Sequence, residues 1–91
     1  MASARPATKV RLQKTLKEGL RRCVYRRWEA EVQGATLITV VTELERMYRG
    51  NTAYPIGSPK VSRRVYVGPN LARAALQAAV SRRRALGYAA R

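Results

Sequence analysis

After Glu45 the chain contains no acidic residue, while Arg46, Arg49, Lys60, Arg63, Arg64, Arg73, Arg82, Arg83, Arg84 and Arg91 all follow it. A net charge of +14 over 91 residues opposes compaction by self-repulsion, so the folded chain needs something negative beside it. That length holds one domain, whose single core is marginal unless a partner, metal or disulfide supports it. RNA, an anionic lipid headgroup layer or an acidic protein would each supply the missing charge.

The chemistry-bearing residues are few. Cys23 is the lone cysteine, histidine is absent, and the acids are Glu18, Glu29, Glu31, Glu43 and Glu45. Zinc ligation, Ser/His/Asp chemistry and Cys/His chemistry therefore lack their parts, and the expectation is a non-enzyme. No apolar run approaches the ~18 residues that a membrane-spanning helix needs. The opening "MASARPATKVRLQK" is rich in Ala, Ser and Arg and free of acids, the composition of a mitochondrial import signal and equally of a basic tail that touches a partner. The expected layout is a tail over 1–6, one domain over 7–88 and a short tail over 89–91.

Spacing along the chain predicts helices. From Ala7 to Val32 the apolar residues Leu12, Leu16, Leu20, Cys23, Val24 and Trp28 recur at three- and four-residue steps, with Gly34 as the stop. On that helix Arg22 and Arg26 project together beside Tyr25, while Arg27 falls within the apolar stripe and must snorkel or meet an acid. From Thr36 to Arg49, Leu37, Val40, Val41, Leu44, Met47 and Tyr48 share a helical face, although the β-branched residues there would also allow a strand. "KVSRRVYV" reads as helical or extended, and Gly68-Pro69 interrupts it. Asn70 then caps a last helix with an inward stripe of Leu71, Ala74, Ala75, Ala78 and Leu86. Those small side chains either let helices approach closely or leave a channel. The fold class expected is all-α, a three-helix bundle with a basic C-terminal half.

Val24-Tyr25-Arg26 on the first segment, Tyr48, Arg49 and Asn51 in "MYRGN" closing the second, and "SPKV" at Ser58 to Val61 opening the third are in the order of an LYR-type signature. The chain resembles the LYR-motif family of small basic three-helix mitochondrial proteins. With Trp28, Glu31-Val32 and Met47-Tyr48 it is most similar to the members that are accessory subunits of respiratory complex I where the matrix and membrane arms meet. The resemblance implies a non-catalytic protein peripheral to the matrix side of the inner membrane, docked to mitochondrial acyl carrier protein and built into a large complex. Arg22, Tyr25, Arg26 and Arg49 would bind the carrier protein. Leu16, Leu20, Val24, Val41, Leu44, Tyr48, Leu71, Ala75 and Ala78 would line a slot for the acyl chain on the partner's 4′-phosphopantetheine, no cofactor being the chain's own. The resemblance favours the channel reading of the alanine stripe. Two further readings stay open: an LYR assembly factor for iron-sulfur proteins or the mitoribosome, and a small organellar ribosomal protein whose arginines hold rRNA phosphates.

Overall fold

The computed structural model describes residues 8–47 and 52–90. Their order is β1 (Lys9–Glu18), β2 (Arg22–Gln33), β3 (Thr36–Met47), β4 (Ala53–Pro55), β5 (Lys60–Val65) and α1 (Pro69–Ala85). The first three strands form an antiparallel meander. The far edge of β3 is shared, its Leu44–Arg46 end pairing with β4 and its Thr36–Val41 end with β5. α1 then crosses one face of the sheet, so the domain has two layers.

Alternation builds these strands. In β2, Trp28, Ala30 and Val32 are buried and Glu29 and Glu31 lie between them, the period-two pattern of a strand with one face on a core. The register sets Leu12, Trp28 and Val41 in one row across the sheet, and Val32 beside Leu37 in another. Ala72, Leu76, Ala79 and Val80 of α1 close this core from above, with Tyr88. Thr36, Ile38, Thr39, Val40, Val41 and Thr42 give β3 a nearly continuous β-branched run, which suits a pleated surface better than a helix. Gln33 pairs with Thr36 around a two-residue loop whose first member, Gly34, has φ 60°; the turn closing the β2–β3 hairpin requires that positive φ.

The all-α, three-helix expectation is thus overturned. Of the stretch expected as one helix from Ala7 to Val32, the described residues form two strands joined at Gly19–Arg21, and Thr36 to Met47 is the third strand. A four-residue step explains the misreading: residues four apart share a face on a helix and on a strand alike, so Leu12, Leu16, Leu20, Val24 and Trp28 satisfy either period. Gly34 ends no helix; it turns a hairpin. The extended alternative for "KVSRRVYV" is the one observed, as β5.

The last segment is a helix, but its bounds and phase differ from those expected. Gly68 is the N-cap and Pro69 the first helical residue, where its missing N–H costs nothing, so Asn70 does not cap it. The buried stripe is Ala72, Leu76, Ala79 and Val80, whereas Leu71, Ala74, Ala78 and Leu86 are exposed and Ala75 is half-buried. At the C-terminus, Gly87 adopts φ 96°, its N–H donates to the Arg84 carbonyl, and the Tyr88 N–H donates to the Arg83 carbonyl. This Schellman arrangement turns the chain back. It drops Tyr88 into the core and brings Ala89 against β1, where Ala89 and Gln13 exchange two backbone hydrogen bonds of 2.9 and 3.0 Å.

Candidate functional site

The return of the chain at Gly87 also fixes an arginine. The Arg83 guanidinium lies 5.4 Å from the Tyr88 ring centroid and 5.6 Å from that of Trp28. Cation–π attraction to two rings, about 0.5 to 1 kcal/mol each where exposed and more where desolvated, restrains a side chain that would otherwise roam. Trp28 itself is 2% exposed and forms the floor beneath it.

Strand alternation supplies the opposing wall. Along β5 and just past it, Lys60, Ser62, Arg64 and Tyr66 occupy the register positions on the α1 side of the sheet, paired with or following the Leu37, Thr39 and Val41 face of β3. The Arg64 guanidinium lies 5.5 Å over the Tyr66 ring. Between this wall and the last turns of α1 are two hollows that share Arg83. One, of about 380 Å³, is bordered by Ser62, Arg64, Tyr66, Arg82 and Arg83. The other, of about 350 Å³, is bordered by Arg26, Glu43, Ser58, Lys60 and Arg83.

The electrostatics of this cleft are one-sided. Arg26, Lys60, Arg64, Arg82 and Arg83 line it from the α1 side of the sheet and Arg63 borders it from a register position on the other side, against a single carboxylate among the described lining residues, Glu43. That carboxylate accepts a 2.7 Å hydrogen bond from the Arg26 guanidinium across β2 and β3. The bond to Glu43, and after it the Tyr88 hydroxyl, raises Arg26 above the ordinary arginine pKa, so the guanidinium stays charged at any pH of interest. The two other ion pairs among the described residues, Arg11–Glu29 at 3.6 Å and Arg22–Glu45 at 3.4 Å, lie outside the cleft. Arginine forks bind phosphate bidentately, and neither burial nor pH switches them off. No group of metal-ligating residues exists among the described residues.

The residues expected for carrier-protein docking do not gather. Arg22 and Arg26 do share a face, that of β2 toward α1, but both are engaged by glutamates. Tyr25 is buried on the opposite face, paired with Leu44. Arg49 and Tyr48 lie outside the described residues. Of the expected slot, Leu16 sits at the β1 bulge and is half-exposed, and Leu20 is 94% exposed in the β1–β2 turn. Val24 and Val41 line the α1 side while Leu44 faces away from it; Leu71 and Ala78 point to solvent and Ala75 only borders the core. A slot between helices has no counterpart here, since only one helix is present among the described residues. Arg27 lies on the face away from α1 with its Nε buried and without a partner among the described residues.

Lys60, Arg64, Tyr66, Arg82 and Arg83, together with Trp28 and Tyr88, were not singled out together by spacing. The signal for them is the acid-free second half, combined with the alternation Lys60, Ser62, Arg64, Tyr66 once that stretch is read as a strand. No protein-family model, curated protein or solved structure matches the chain.

Proposed function

We propose that this protein is a non-catalytic nucleic-acid-binding module that holds a sugar–phosphate backbone in the cleft between β5 and the end of α1. The observation that carries the reading is the set of four cations on two facing walls, Lys60 and Arg64 on β5 and Arg82 and Arg83 on α1, with the single carboxylate Glu43 already neutralised by Arg26 of β2. Backbone contacts of this kind give affinity without sequence information, and they answer the net charge of +14. A concave basic groove suits an inserted polymer better than a lipid surface, to which a protein would present apolar side chains around its cations.

Backbone, not bases, is the feature held. The cleft aromatics are either covered by a guanidinium or buried: Trp28 and Tyr88 are core residues, and Arg64 lies over Tyr66. Stacking platforms of the kind that read single strands are therefore not offered there. The three-helix bundle that an LYR-type acyl slot implies is not the fold, which among the described residues is a sheet with one covering helix.

The test is a pair of charge reversals with equal effect on net charge. Arg64→Glu with Arg82→Glu, both exposed cleft positions, is expected to reduce affinity for a labelled RNA duplex by at least about 100-fold at physiological salt. A matched control, Arg11→Glu with Arg73→Glu, changes exposed positions outside the cleft and is expected to cost far less. Equal losses in the two variants would mean diffuse charge attraction and no cleft.

A further inference from the structure

The sheet face turned away from α1 carries a different pattern. Ile38 and Val40 of β3 and Val61 and Val65 of β5 form an apolar strip, with Val61 55% and Val65 75% exposed. No described element covers it. Two charged residues flank the strip at one level: Glu31 of β2 stands opposite Ile38, and Ile38 stands opposite Arg63 of β5. One row across three strands thus reads acid, apolar, base. Neither Glu31 nor Arg63 takes part in an ion pair among the described residues, although Lys9 stands opposite Glu31 on β1.

We propose that this face packs against the same face of a second copy of the chain, around a two-fold axis parallel to the strands through Ile38. Such an axis exchanges the two sides of β3. Glu31, one strand to one side, then comes over Arg63 of the second copy, and Arg63 over its Glu31, while Ile38 meets Ile38. Facing sheets pack about 10 Å apart with strands nearly aligned, the distance at which extended Glu and Arg side chains from the two layers meet. The row is self-complementary under that operation, as an isologous interface requires. A different protein as occupant would need no such reciprocity.

The net charge of +14 opposes association. The cleft cations, however, lie on the outer faces of the pair, and repulsion over more than about 8 Å is screened at physiological ionic strength. The two copies would present two clefts facing away from one another.

Sedimentation equilibrium of the full chain at physiological salt is the test, with circular dichroism recorded for each variant. A dimer is expected for the wild type. Glu31→Arg and Arg63→Glu, each alone, are expected to weaken it at least about tenfold, because each places like charges opposite in two symmetry-related places. The double variant Glu31→Arg with Arg63→Glu restores the complement and is expected to return within about threefold of the wild type. A monomeric wild type, folded single variants that associate as tightly as the wild type, or a folded double variant no tighter than the singles would each overturn the proposal.

Discussion

Glu43 offers a perturbation that should strengthen binding, an outcome few substitutions produce. It is the one carboxylate among the described residues lining the cleft, and it holds Arg26 at 2.7 Å with the two side chains 37% and 41% exposed. A half-exposed pair of that kind contributes on the order of 0.5 kcal/mol to stability once solvent screening is counted. Glu43→Gln keeps the size and one acceptor but removes the charge, so melting should change little. Arg26 then has a free guanidinium beside Lys60 and Arg83. One further phosphate contact adds about 0.9 to the slope of log K against log salt, and a charge-assisted hydrogen bond is worth about 1.5 kcal/mol or more. The expected result is roughly a tenfold gain in affinity at low salt, shrinking as salt is added, measured by fluorescence anisotropy of a labelled RNA duplex. Arg26→Gln should do the reverse, leaving the Glu43 carboxylate uncompensated in the cleft. An unchanged or weakened affinity for Glu43→Gln, with the fold intact, would refute the placement of the backbone against Arg26.

Three further outcomes are expected. Gly87→Ala should lower stability by about 1 to 2 kcal/mol in thermal or urea melts, because φ 96° is a left-handed conformation; the added Cβ would meet Lys14 Cε at an ordinary 3.6 Å, so sterics add nothing. Trp28→Ala should cost about 3 to 5 kcal/mol, enough to leave a domain of this size largely unfolded by circular dichroism, while Trp28→Phe should fold and bind with modest loss. Affinity should be flat from about pH 6 to 9 in anisotropy titrations: the cleft cations are arginines and Lys60, and Arg26 is raised, so its stabilising pair with Glu43 is lost only as pH climbs through that raised value in strongly alkaline solution.

Particular residues explain what could be read from the sequence. The last helix announces itself through Gly68-Pro69 at its start and Gly87 beyond its end, signals fixed by backbone sterics and independent of neighbours. Its phase is not so fixed: Ala is tolerated inside or outside, and only the sheet beneath decides that Ala72 and Ala79 are covered while Ala74 and Ala78 are not. β1 and β2 were ambiguous because Leu12, Leu16, Leu20, Val24 and Trp28 are spaced by four, a step common to both periods. The discriminating stretch was "WEAEV", where strict alternation favours a strand, supported by the β-branched run of β3. As for the cleft, the unpaired charge of the second half was plain in composition. Its gathering was not, since Arg26, Lys60, Arg64 and Arg83 meet only through the β2–β3–β5 register and the chain reversal at Gly87.

The most direct test of the central claim is the salt dependence of nucleic-acid binding by the unmodified protein. With Lys60, Arg64, Arg82 and Arg83 engaging phosphates while Arg26 stays paired with Glu43, log K should fall against log salt with a slope of about −3 to −4, and it should do so for duplexes of unrelated sequence with similar affinity at each salt concentration. A slope near zero, or no measurable binding to any nucleic acid at low salt, would contradict the account.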